Sequence, residues 1–237
     1  MSTLDTVIKD LVIANRILAK EDVVDAYGHI SVRNPDNPKH FFLSRSVAPD
    51  LVERDDIVEL GLDGQPVRDE KRALYLERFI HAAIYEARPD IHSVVHAHAE
   101  DILPFGVAQA TPLRPVIHSG SFIGANVPVW DIADKFGDTN LLVTNMDQGR
   151  DLAKCLAGNN VALMRGHGNV VVGGNIQNVV WRAYYTEVNA RMLATAAALG
   201  GGPIEYLSPE ETELTDVSMQ RVEARPWKLW KEKALGG

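Results

Sequence analysis

Residues 91–105 read "IHSVVHAHAEDILPF", which sets His96 and His98 two apart inside an apolar run, with His92 close upstream. The chain has eight histidines, so three in this one stretch ask for a physical reason. "SVVHAH" reads as a strand. Side chains alternate faces along a strand, so His96 and His98 project to one side while Val95 and Ala97 enter the opposite layer. Two imidazoles then converge. Neutral imidazole nitrogen is a common ligand for divalent transition metals, and a usable site needs further donors from elsewhere in the fold. Taken alone, such a pair also fits ordinary polar or core histidines. His92 has the same parity but lies four residues from His96, ~13 Å along a strand; it belongs to the surface or to a subunit contact.

Upstream of this strand the apolar period changes. Leu76, Phe79, Ile80, Ala83 and Ile84 share one helical face, predicting a helix over 73–87 that Pro89 stops. Glu77 falls at the border of that face. Partial desolvation there would raise a carboxyl pKa and suit an acid/base group; the plainer alternative is an i,i+4 pair with His81 on a wet face. Downstream, "NVALMRGHGNVVVGG" reads as two strands around a tight turn. His167 sits in that turn between Gly166 and Gly168, which permit a close backbone approach.

The rest of the chain supplies alternating elements. Residues 4–18 carry one apolar stripe and predict a helix. "HISVRN" and "HFFLS" form a hairpin across "PDNPK", and "DIVEL" with "QPVR" a smaller one around Asp63-Gly64. A short helix is expected over 100–109, a strand at "VPVW", a strand or loop at "NLLVT", and a helix over "MDQGRDLAKCL". Residues 175–199 predict the longest helix, whose buried stripe continues through Glu187, expected to be hydrogen-bonded between helices. From about residue 208 a capped helical tail with two tryptophans is expected to pack back or against a neighbouring subunit.

At 237 residues the chain is expected to form a single domain over 1–237. Its 46% hydrophobic and 24% charged content is that of an ordinary globular protein. A net charge of −8, without any Lys/Arg-rich run, speaks against nucleic-acid binding. No apolar run nears the ~20 residues of a membrane span. One cysteine, Cys155, and an N-terminal stretch carrying acidic residues predict a cytoplasmic protein.

Glu77, then "HAHAE", then "RGHG" together resemble the three-part signature of the class II aldolase/adducin-head superfamily, and the likeness runs from "YGHISVR" to the helix ending near Gly200. The resemblance implies a three-layer α/β/α sandwich with a central, largely antiparallel sheet, and a homotetramer with active sites between subunits. It implies His96, His98 and His167 as ligands of one divalent ion, Mn2+ favoured over Zn2+, and Glu77 as the acid/base group.

Departures from the sugar-phosphate members bear on the substrate. Gly28-His29, "LSRSVAP" and "LYLE" stand where those enzymes have a phosphate-binding turn, a second loop and a serine pair. The altered set is similar to the decarboxylase branch, which includes hydroxypyridine-dicarboxylate and hydroxyphthalate decarboxylases. Arg45, with Ser46 and His29, is the candidate cradle for a second carboxylate; a surface salt bridge is the alternative for Arg45. Tyr75 offers a flat face to a ring. The expected activity is decarboxylation of a small hydroxylated aromatic or pyridine dicarboxylate, with the metal stabilising the enolate and Glu77 protonating the ring carbon. Two alternatives stand beside it: an aldolase acting on a non-phosphorylated hydroxy-keto acid, and a non-catalytic interaction module of the adducin-head kind.

Overall fold

The computed structural model describes residues 3–108, 110–200 and 202–236. The ends of the expected 1–237 span, and Gln109 at the end of the expected short helix, lie outside these residues. Seven strands make one sheet: β1 (His29–Arg33), β2 (His40–Ser44), β3 (Ile57–Gly61), β4 (Ser93–Ala97), β5 (Val129–Trp130), β6 (Val161–Met164) and β7 (Gly168–Gly173), in the order β3-β2-β1-β4-β7-β6-β5. Every neighbouring pair is antiparallel except β5–β6. The helices are α1 (Thr3–Lys20), α2 (Arg78–Ala87), α3 (Leu103–Val107), α4 (Ala133–Phe136), α5 (Met146–Leu156), α6 (Ile176–Leu199), α7 (Pro209–Gln220) and α8 (Ala224–Ala234).

Alternation along the central strands divides the core. Ile30 and Val32 of β1, Val95 and Ala97 of β4 and Val171 of β7 pack with α1, α6 and α8. Val94 of β4, with Val170 and Val172 of β7, packs with α2 and α5 on the other face. This is the α/β/α sandwich that the resemblance implied. Each fully buried aliphatic side chain contributes ~1.5–3 kcal/mol, and because β4 and β7 are buried on both faces, the middle of the sheet is held most firmly. By the same alternation His29, Ser31 and His96 turn to the α2 face.

Caps fix the helix starts that matter here. Asn145 and Asn175 accept from the backbone N–H of Gln148 and Asn178, and Ser208 closes a capping box with Glu211. The tail does pack back: Trp227 and Trp230 are buried, and Trp230 lies 4.8 Å from the Tyr184 ring on α6. Among the described residues no helix is long and apolar enough to cross a membrane.

Several expectations change. α2 begins at Arg78 rather than residue 73, because carbonyls that a longer helix would use are taken elsewhere. Ala73 O accepts from Ser46 N at 2.9 Å, and Tyr75 O from the Arg78 guanidinium at 3.0 Å. Glu77 is therefore the residue capping α2, and Leu76 is 58% exposed instead of sitting on the buried face. "QPVR" forms only an isolated bridge, Leu60 with Pro66, since proline has no N–H for a ladder. "NLLVT" is a loop, and the short helix starts at Leu103. Glu187, expected to be hydrogen-bonded, has no such partner among the described residues. Burial and the nearby Asp101 raise its carboxyl to about 7.

Candidate metal centre and its pocket

Sheet register builds the site. His96 of β4 pairs with His29 of β1 on one side and Val170 of β7 on the other. The β6–β7 turn then carries His167 against His98: Gly166 takes φ +64°, and Gly168 lies so close to β4 that a Cβ would stand 2.3 Å from Ala97 O and 3.0 Å from His98 Cδ2. Ring centroids of His96, His98 and His167 are 4.9 to 5.2 Å apart. Glu77, at the start of α2, reaches in from the helical layer.

Each imidazole is oriented by a partner on its Nδ1. His96 Nδ1–H donates to Asn169 O at 3.1 Å, His167 Nδ1–H to Leu141 O at 2.8 Å, and His98 Nδ1–H to the Asp25 carboxylate at 3.1 Å. With Nδ1 occupied as a donor, the lone pair of each neutral ring is on Nε2. His96 Nε2 and His98 Nε2 are 3.1 Å apart, and Glu77 Oε2 is 3.4 Å from His96 Nε2 and 3.3 Å from His167 Nε2. Lone pairs thus face one another. His167 Nε2 is buried without a well-directed hydrogen bond.

That arrangement fits a cation. Bonds of ~2.0–2.1 Å at tetrahedral angles separate the donors by about 3.4 Å, close to the 3.1, 3.3 and 3.4 Å found here. Among the described residues, Glu77, His96, His98 and His167 offer ligand atoms all within 4.8 Å of one another. Three imidazoles and one carboxylate suit a divalent ion.

The electrostatics reverse the pKa shift expected of Glu77. Burial alone would raise its pKa, but positive charge facing it, carried by His96 and His167 when protonated or by a cation bound among them, holds the carboxyl well below the usual range. The group is an anion, braced by the Val143 N–H on Oε1 at 3.0 Å. Asp25 is likewise held low: burial opposes ionisation, while the N–H groups of Tyr27 and Gly28 and the His98 ring donate to it.

A cavity of about 650 Å³ opens beside this cluster, lined by His29, Ser46, Tyr75, Glu77, His98 and His167 among others. So three of the four residues expected to bind substrate do line it. Arg45 does not; its Nε donates to Asp56 at 2.6 Å, the salt-bridge alternative. Among the described lining residues there is no lysine or arginine. Tyr75 gives its hydroxyl to Val47 O and packs its ring 4.4 Å from that of His29. His92 is exposed, away from the cluster.

Sequence reasoning missed Asp25, whose only signal was an acidic residue shortly before the Gly28-His29 turn. It also missed Leu141 and Asn169, which act through backbone carbonyls that no residue type announces. His81, which the plainer alternative for Glu77 set on a wet face, is fully buried against His29.

Fold and site together define a class of protein: residues 9–194 match the Class II Aldolase and Adducin N-terminal domain family, and the chain belongs to it. Within it, decarboxylase tropJ of Talaromyces stipitatus is 42% identical over 244 residues, covering 93% of this chain and 91% of that protein. The 3,4-dihydroxyphthalate decarboxylase of Arthrobacter keyseri is 27% identical over 222 residues, covering 87% and 85% respectively. The crystal structure of an aldolase II superfamily protein from Pseudomonas syringae shares the fold, with TM-score 0.80 and 20% identity over 99% of this chain and 94% of its own. With decarboxylase relatives at this identity and coverage, the chain is a carbon–carbon lyase of the carboxy-lyase kind.

Proposed function

We propose that the chain is a metal-dependent decarboxylase of a hydroxylated aromatic or pyridine dicarboxylate, with His96, His98 and His167 holding the ion and Glu77 exchanging the proton. The observation that carries this reading is the common orientation of three Nε2 atoms, each imidazole being tied back through Nδ1. Relatives named as decarboxylases, one of them of 3,4-dihydroxyphthalate, support the substrate class. Bound there, a divalent ion, Mn2+ in preference to Zn2+, would supply Lewis acidity for the negative charge that builds as a C–C bond breaks.

The residues divide the remaining work. The ring carbon needs a proton in place of the departing carboxylate, and the electron pair of the breaking bond needs a sink. Glu77, anionic at rest, takes the proton of the substrate's ring hydroxyl and returns it to the carbon bearing the departing carboxylate. The ring is then briefly a ketone, and loss of carbon dioxide restores aromaticity. Tyr75 presents its ring face, while Ser46 and His29 give neutral donors to the carboxylate that stays.

We extend the reading to the assembly. Exposed Tyr27 and Leu76, 74% and 58% accessible, stand at the pocket mouth and suit cover by another subunit in a homotetramer. A single unpaired cysteine suits the cytoplasm. We read α7 and α8 as a tail to one domain.

The test is a panel of hydroxylated benzene and pyridine dicarboxylates, 3,4-dihydroxyphthalate among them, given to protein stripped of metal and reloaded with Mn2+ or Zn2+. Metal-dependent release of carbon dioxide is expected. Release of pyruvate or an aldehyde from a hydroxy-keto acid instead, with no carbon dioxide from any dicarboxylate, would replace decarboxylase by aldolase.

A further inference from the structure

Behind the pocket wall, β1 and α2 enclose a row of four polar side chains. His29 and Ser31 face α2, and α2 sets His81 and Tyr85, one turn apart, opposite them. His29 Nδ1 lies 2.7 Å from His81 Nε2, His81 Nδ1 lies 2.6 Å from Ser31 Oγ, and Ser31 Oγ lies 2.8 Å from the Tyr85 hydroxyl. All four are buried, with exposures of 2% for His29, 0% for Ser31 and His81 and 1% for Tyr85. Among the described residues, no acceptor outside the row is hydrogen-bonded to either hydroxyl.

Counting protons gives the row a direction. Both rings are almost wholly buried and, among the described residues, neither is hydrogen-bonded to a carboxylate, which favours the neutral form of each. Each of the four groups then carries one mobile proton, for three internal contacts. If His29 held its proton on Nδ1, His81 would have to donate from Nδ1 to Ser31. Either the Ser31 or the Tyr85 proton would then be shut in the interior with no acceptor, which native structures avoid. One ordering satisfies every group. Tyr85 donates to Ser31, Ser31 to His81 Nδ1, and His81 Nε2–H to His29 Nδ1, which leaves the His29 proton on Nε2; His29 lines the cavity, and its Nε2 is not among the fully enclosed, unpartnered polar atoms of the described residues.

We propose that Tyr85, Ser31 and His81 act as a positioning relay that locks His29 as an Nε2–H donor aimed into the pocket, where it binds the substrate carboxylate that is retained. The pocket lining makes the polarity matter. It holds no lysine or arginine among its described residues, so an anionic group there depends on neutral donors, and a lone pair on His29 Nε2 would repel it. The carboxylate half rests on the dicarboxylate reading above; the tautomer lock does not.

Both halves can be read separately in zinc-loaded protein with 15N-labelled histidine, using long-range 1H–15N correlations that report which ring nitrogen is protonated. The His29 signals are assigned by their loss in His29→Gln. The wild type should show His29 protonated on Nε2. Ser31→Ala should give a mixture of tautomers, and Ser31→Thr should restore the single form. Phthalate, a dicarboxylate without the ring hydroxyl, should bind Ser31→Ala two- to tenfold more weakly than wild type, with recovery in Ser31→Thr. A wild-type His29 protonated on Nδ1 overturns the proposal, as does a tautomer indifferent to Ser31→Ala. If the tautomer mixes while phthalate affinity is unchanged, the carboxylate role is overturned and the relay stands. Neither result depends on turnover, so failure here is distinct from failure of the decarboxylase assay.

Discussion

Asp25→Asn should loosen the metal centre without removing a ligand. The two Asp25 oxygens lie 3.1 and 3.2 Å from His98 Nδ1, and Oδ1 also accepts from Tyr27 N at 2.9 Å and Gly28 N at 2.8 Å. Asparagine keeps one oxygen for those two backbone groups, so the loop is retained. What goes is the negative charge behind an imidazole that becomes more acidic once it ligates a cation. Hydrogen bonds to charged partners contribute ~1.5–3 kcal/mol, whereas exposed ion pairs contribute only ~0.2–1 kcal/mol. The Asp25 side chain is 43% exposed, which puts the pair between these limits. About 1 kcal/mol is a fair value, and it corresponds to a roughly fivefold weaker Kd for the metal. The assay is metal titration against a competing chromophoric chelator at fixed pH, with melting temperature as the control for folding. A Kd within twofold of wild type would refute the reasoning, as would an effect confined to kcat at saturating metal.

Glu77→Gln keeps an oxygen for the Val143 N–H, so its metal content should match wild type while turnover falls ~10²–10⁴-fold; His96→Ala should lose both, as metal analysis beside a rate assay would show. Gly168→Ala forces a methyl against Ala97 O, a backbone atom that cannot swing aside, so stability should drop by ~1–3 kcal/mol in denaturant titration, with metal affinity falling as His98 is pushed. Glu187 titrates at about 7 when folded, against an ordinary 4.5, because burial and Asp101 disfavour its charge. A carboxyl raised in the folded state stabilises it least once ionised, so stability should fall as pH rises from ~4.5 through ~7. Discounted for partial solvent access, Glu187→Gln should gain about 1–2 kcal/mol over wild type at pH 8 and nothing at pH 4; an equal effect at both pH values would contradict this.

How far the sequence could be read depended on what kind of signal each residue carries. Val95 and Ala97 alternating with His96 and His98 state the parity of β4 outright, because a strand has a period of two and both faces of this one are buried. Gly168 after His167 states a close approach, because only a missing Cβ fits there, and Gly166 before it states a left-handed turn. Partners supplied by register are silent by contrast. Nothing in "YGHISVR" says that His29 will lie opposite His96, since that depends on β1 pairing with β4 rather than only with β2. Nor does apolar period recognise His81. A histidine scores as polar on a helix, and the plainer alternative for Glu77 set this one in water, yet it is buried because Ser31 and His29 meet both of its ring nitrogens. The Glu77 error has the same root: its environment was judged from its own helix, while its charge is set by two histidines arriving from β4 and the β6–β7 turn. Local pattern therefore reveals which residues a site draws on. The protonation state of each is decided by neighbours from other elements, and those appear only once the sheet order is known.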